Sequence, residues 1–202
     1  MFNFSKIVNK KLSDRIIGKL APYSISFISC ELDWYTLPVI EQTVRQNGFT
    51  ALDTLFGMLD SQGQTKSDVL VRVFVYNLVD IVTLLLPENQ DIVDFETKEE
   101  VRNPFIEYAK GIVSKWRGGT MGEKYNITDT KVFFAGDSKI PTVEFSTDVS
   151  SGLENTKYFE TIFVFSKPYM IVFDLFLRNK DEPLRDKIIT DFTKIIKSIK
   201  VA

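Results

Sequence analysis

The stretch TIFVFSKPYMIVFDLFL, residues 161–177, constrains the fold of this chain more than any other segment. It is apolar at most positions, yet Lys167-Pro168 interrupts its centre and Asp174 sits in its second half. A helix crossing a bilayer needs about 20 consecutive apolar residues. This run is shorter, a proline inside a helix costs about 3 kcal/mol, and Asp174 adds a comparable penalty in lipid. β-Branched and aromatic residues dominate both halves and favour extended chain, while Ser166-Lys167-Pro168 reads as a tight turn. The segment therefore predicts an antiparallel hairpin. In its second arm Tyr169, Ile171, Phe173, Leu175 and Leu177 make an apolar face expected against a helix. Met170, Val172, Asp174 and Phe176 make a mixed face, on which Asp174 is expected to be partly solvated.

The helix that meets this hairpin follows directly. Asp181-Glu182-Pro183 is a helix start with acids at the positive end of the dipole. Leu184, Ile188, Ile189, Phe192, Ile195, Ile196 and Ile199 then form a continuous helical stripe. Upstream, Lys131–Val149 reads as two strands joined through Gly136-Asp137-Ser138, with Val143, Phe145, Thr147 and Val149 facing one way and Glu144, Ser146 and Asp148 the other. A helix is predicted from Asn103-Pro104, carrying Phe105, Ile106, Ala109, Ile112, Val113 and Trp116 and ending at Gly118-Gly119. Residues 69–76, VLVRVFVY, predict a buried strand that continues into a strand or short helix ending at Pro87. Tyr23–Phe27 alternates as a half-buried strand leading to Trp34, which is expected to plug the core. TALDTLFGMLD has a helical rhythm, VIEQTVRQ reads equally well as a strand, and residues 61–68 read as a polar loop.

Charge is polarised along the chain. Lys6, Lys10, Lys11, Arg15 and Lys19 face only Asp14 in residues 1–20, whereas Glu88, Asp91, Asp94, Glu96, Glu99 and Glu100 crowd residues 87–100 with Lys98. Val8, Leu12, Ile16 and Leu20 recur at four-residue steps, which predicts an amphipathic helix over residues 5–20. Packing on the domain or a neighbouring subunit is the favoured reading of that helix; contact with an anionic membrane surface is the weaker one. Residues 1–20 are thus read as an extension and residues 21–202 as a single α+β domain. One cysteine, Cys30, permits no intrachain disulfide and points to a reducing cytoplasm. The first twenty residues lack the apolar core of a secretory signal.

The order of strands, helix, antiparallel meander and terminal helix describes an antiparallel twisted sheet sandwiched by helices. YSISFISCELDW, IPTVEFSTDV and the run from Tyr158 to Lys200 with its KIIKSIK ending resemble the Mog1/PsbP-like fold, chiefly over the last hundred residues and loosely over residues 22–76. Members of that group are mainly non-enzymatic binding, adaptor and assembly proteins. They include a Ran-binding factor, photosystem extrinsic subunits and secretion-linked chaperones. The resemblance implies the same kind of role here and carries no site residue with it.

Chemistry is sparse. The chain has no histidine, which removes His-based nucleophile systems and most catalytic zinc sites. The acids of 87–100 lack the spacing of a calcium loop and are read as a solvated segment. RGGTMGEK, residues 117–124, ends a helix where a phosphate loop would begin one. A net charge of -2 argues against nucleic acid as a partner. The expectation is a cytoplasmic, non-catalytic binding or adaptor protein without cofactor or metal, held to a protein partner or to copies of itself. Its candidate partner-binding residues are Lys6, Val8, Lys10, Lys11, Leu12, Ile16 and Leu20 with Asp91, Asp94 and Glu96. The alternative is a hydrophobic-ligand (lipid) carrier with a START-like cavity under the C-terminal helix.

Overall fold

A computed structural model describes residues 15–36, 52–59, 65–88, 90–118, 124–150, 156–180 and 182–202. In chain order the elements are β1 (Arg15–Ile17), β2 (Tyr23–Ser26), β3 (Tyr35–Thr36), β4 (Leu52–Leu59), β5 (Thr65–Asn77), α1 (Leu78–Leu85) and a 3-10 turn (Ile92–Asp94). They continue with α2 (Glu99–Gly118), β6 (Lys124–Ala135), β7 (Ile140–Ser150), β8 (Thr156–Ser166), β9 (Tyr169–Leu177), α3 (Arg185–Lys197) and β10 (Lys200–Val201).

The hairpin predicted at 161–177 is β8 and β9, and Lys167-Pro168, a cis peptide, is its whole turn. It lies inside a seven-stranded antiparallel sheet of order β3-β4-β5-β9-β8-β7-β6. Because side chains alternate along each strand, the sheet has two apolar faces and each needs a cover. Val71, Val73, Ile162, Val164, Ile171, Phe173 and Leu175 meet Ile188, Phe192, Ile195 and Ile196 of α3. A small sheet, β1-β2-β10, extends that layer. On the other side Phe74, Val143, Phe145, Phe163, Phe165, Met170 and Val172 meet Leu78 and Ile81 of α1, Phe95, and Val101, Phe105, Ala109 and Val113 of α2. The result is an antiparallel sheet between helices, in the α+β class.

Several local expectations shift. Residues 1–14, and with them Lys6, Val8, Lys10, Lys11 and Leu12, lie outside the described residues, as do residues 37–51. Arg15–Ile17 is not helical as expected but a strand paired with Ser24–Ser26. Gly18 explains the change: its N–H donates to the Tyr23 carbonyl, and a side chain there would meet the Tyr23 ring at 2.2 Å. The helical rhythm of TALDTLFGMLD gives way to β4, whose neighbour β5 already begins at Thr65, inside the expected loop. α2 starts at Glu99, a turn before Asn103-Pro104, because Val101 is fully buried and rewards the extra turn despite Pro104 within it. Gly136, at φ +65, turns β6 into β7 beneath the end of α3, where a Cβ would sit 2.3 Å from the Ile199 carbonyl.

Two buried carboxylates fasten loops to this frame. Asp53 accepts from the Lys19 and Leu20 amides, the Tyr23 hydroxyl and the Thr54 hydroxyl. Asp191 on α3 accepts from the amides of Glu31 (2.9 Å) and Leu32 (2.8 Å) and from Trp34 Nε1 (3.3 Å), holding the β2–β3 loop against the helix. Trp34 is wholly buried, as its sequence position suggested. Cys30 lies beside this contact, and burial together with the Asp191 charge pushes its thiol up to about 12, which makes it a poor nucleophile. Replacing Asp191 by alanine strands its donors, so Asp191→Ala is expected to cost about 3 kcal/mol in urea unfolding, with Asp191→Asn losing less.

Candidate functional site

The antiparallel register sets the site. Arg72 on β5, Asp174 on β9 and Thr161 on β8 are direct cross-strand neighbours, so they form one row on the face that α2 covers. α2 buries Val101, Phe105, Ala109, Val113 and Arg117 at four-residue steps, and the last of these lands on that row. Arg117 Nη2 bonds Asp174 Oδ1 and donates to Thr161 Oγ1 at 3.1 Å. Thr161 donates to the same carboxylate oxygen at 2.9 Å, and Arg72 Nη2 takes Oδ2. Asp174 is wholly buried, not partly solvated as expected. Burial alone would raise its carboxyl, but the Arg117 and Arg72 charges and the hydrogen bonds of Arg72 and Thr161 outweigh that and hold it below the ordinary range.

The cations are less fully served. Burial pulls Arg117 down from its ordinary value, Asp174 opposes the shift, and the Arg72 charge reinforces it. Arg117 also rests on the Phe159 ring, its guanidinium carbon 3.5 Å from the centroid, a contact worth about 0.5–2 kcal/mol. Among the described residues four buried side-chain polar atoms lack a hydrogen-bond partner, and three of them cluster here: Arg72 Nε, Arg117 Nε and Thr147 Oγ1. Thr147 is the cross-strand neighbour of Phe159.

Beyond this row, at the C-terminal end of α2, the sheet face opens into a cleft of about 350 Å³. Leu70, Phe176 and Phe159 form its next cross-strand row, Val149 and Lys157 the one after, and Trp116 overhangs from α2. Arg117 is its deepest cation at 4% exposure, whereas 29% of the Arg72 side chain remains open. The cleft therefore combines aromatic walls with an inner end where two guanidiniums share one carboxylate, leaving one net positive charge there. Such a surface binds anions carrying apolar groups.

The residues nominated from sequence fall elsewhere. Ile16 is buried in the α3-side core, and Leu20 is exposed. Asp91 caps the 3-10 turn and pairs with Lys167, whose hydrogen bond holds its carboxyl below the ordinary range. Asp94 pairs with Lys98 at 3.0 Å. Glu96 lines a second recess, of about 410 Å³, with Val93, Phe134, Lys139 and Lys167. Glu96 and Lys167, the partner of Asp91, thus line one recess, at the end of the sheet away from the cationic cleft. No three metal-ligating side chains converge among the described residues. None of the cleft residues was nominated as a binding residue from sequence; Trp116, Val149 and Phe176 were read only as positions on a helical stripe or a strand face, although continuing the stripe 101-105-109-113 by one step names Arg117.

No known family profile and no characterised protein matches this sequence. Solved structures do match. The cyanobacterial PsbP (CyanoP) of Synechocystis sp. PCC 6803 shares 13% identity at a TM-score of 0.55, over 100% of this chain and 99% of its own. The Saccharomyces cerevisiae Ran-binding protein Mog1p shares 7% at 0.51, and a point mutant of Mog1 shares 8% at 0.51, each over 96% of both chains. The chain has the Mog1/PsbP-like fold. At these identities the likeness is one of backbone architecture alone.

The opposite face of the Mog1/PsbP-like sheet holds a second polar cluster. Glu144 and Glu160, at 5% and 1% exposure, are neighbours on that face, Glu160 lying across from Ser146 on the adjacent strand. Ser146 donates to Glu160 at 3.0 and 3.2 Å, and the Tyr158 hydroxyl donates to it as well. Desolvation first, and the neighbouring Glu144 second, push the Glu160 carboxyl well above the ordinary range. It therefore holds a proton at neutral pH that the unfolded chain releases.

The two carboxyls give opposite pH dependences. Asp174 is depressed on folding, so its contribution is complete above the ordinary carboxylate range and is lost as pH falls. Glu160 is raised, so the native state binds the extra proton and stability falls as pH climbs from about 5 towards about 9. Thermal unfolding of Glu160→Gln should show a flatter alkaline limb than the parent, with the difference between them growing as pH rises. Asp174→Leu should lose about 3–5 kcal/mol at neutral pH, because it leaves a buried guanidinium uncompensated, and that deficit should shrink in acid.

Proposed function

We propose that this chain is a non-catalytic binding protein that captures another protein through the cationic cleft, as an adaptor within a larger assembly. The observation that carries this reading is the cleft itself: beneath aromatic walls a buried Arg117 and a partly open Arg72 are both held in place by Asp174. A site prepared in this way loses little ordering entropy when an anionic group arrives. Mog1p, with the same fold, is a Ran-binding protein, which supports a protein as the occupant. Among the described residues no helix is long and apolar enough to cross a membrane, and with Cys30 as the single cysteine we infer a cytoplasmic place of action.

The lipid-carrier alternative draws no support from the packing. The α3 side chains Ile188, Phe192, Ile195 and Ile196 are fully buried against the sheet, and the two recesses described above lie elsewhere. A photo-crosslinking amino acid placed at Lys157 tests the proposal against the same group at Lys110, which is exposed on the outer surface of α2. In the native host a discrete heavier adduct is expected from position 157 and not from 110. Equal labelling at both positions, or none at 157, overturns it.

A further inference from the structure

We propose that the cleft receives the C-terminal carboxylate of a partner polypeptide whose last residue is apolar. The inference rests on the cleft being the partner site and adds the chemistry of what enters it.

Charge narrows the ligand first. Arg72 and Arg117 each commit Nη2 to Asp174, and neither Nε has a partner among the described residues. The pair and its carboxylate leave one positive charge, which a single carboxylate neutralises. A phosphate dianion would overshoot that charge and lose more hydration on entering a half-closed site. Planar guanidiniums also match the geometry of a carboxylate.

Position narrows it further. The cations lie at the inner end of the cleft, and Leu70, Phe159 and Phe176 stand between them and the Val149–Lys157 row at the mouth. An anion that reaches Arg117 along the cleft floor therefore gains most when it carries apolar surface immediately behind it. A chain end meets this demand with one entry path and its own last side chain, whereas an internal acidic residue brings polar backbone on both sides. Lys157 lines the cleft at that outer row, and its charge steers an acidic chain towards the opening.

The test uses the full chain and a fluorescein-labelled hexapeptide ending in leucine-phenylalanine with a free terminal carboxylate. Fluorescence anisotropy should show saturable binding that weakens about tenfold or more when the terminus is amidated and when Lys157→Glu is introduced. Trp116, which overhangs the cleft, should change its emission on addition of unlabelled peptide, while Trp34 in the core should not. Arg72→Met, which leaves Asp174 paired with Arg117, should weaken the free-acid peptide alone, with folding checked by thermal unfolding. Equal binding of acid and amide overturns the proposal. So does tighter binding of decanoate, which would make the ligand a lipid carboxylate, or of an amidated aspartate-rich peptide, which would make it an internal acidic segment. A position-specific adduct from Lys157 alongside any of these results would leave partner capture standing and remove only the chain-end chemistry.

Discussion

Asp174 is the residue around which one side of this molecule is arranged. A carboxylate wholly buried in a sheet is tolerated only when it is paired and hydrogen-bonded. Here the compensation comes from three directions: β5 supplies Arg72, β8 supplies Thr161, and α2 supplies Arg117. The first two are fixed by register, so the ion pair specifies where the end of α2 must sit. Slipping β9 by one residue would turn Asp174 to the α3 face and put Phe173 or Leu175 in its place. An apolar replacement for the whole cluster could be equally stable, but it would not specify the position of the helix in the same way.

The hairpin, the β7 alternation and the α3 stripe were legible because each is a local pattern. Phe173 and Ile188 announce their burial by periodicity alone. Asp174 was misread for the same reason: alternation gives its face, but its partners are 102 and 57 residues away in the chain. Glu144 and Ser146 were correctly grouped as one face of β7, yet that face is buried too, as only the neighbouring strands and the helix can show. The turn formed by Gly18 overrode a helical stripe that included Ile16 and Leu20. At β4, pairing with β5 overrode the local rhythm of TALDTLFGMLD.

The two faces of the sheet answer one problem, an acid in a dry place, in opposite ways. Asp174 keeps its charge because two guanidiniums converge on it. Glu160 meets another carboxyl, a serine and a tyrosine, and keeps its proton instead. The first arrangement leaves one net positive charge on two arginines that line a cleft. The second is closed and self-satisfied, with Glu160 at 1% exposure, and offers nothing to a ligand. Buried charge alone does not mark a binding site; excess donors beside an opening do.

Helix polarity explains why the site needs more than one arginine. α2 has 20 residues and so runs for about 30 Å, with Glu99 and Glu100 in its first turn and Lys115 and Arg117 in its last. Both sets suit the macrodipole. The cleft, however, lies at the C-terminal end, where the unpaired carbonyls repel an anion with roughly half an elementary charge. Arg117 alone would be largely spent against that field and against Asp174. Arg72, entering from the sheet and not from the helix, supplies the second cation that turns the balance. An anion site at this end of a helix is therefore built by the strand register, and the helix contributes the walls and the deepest of its cations.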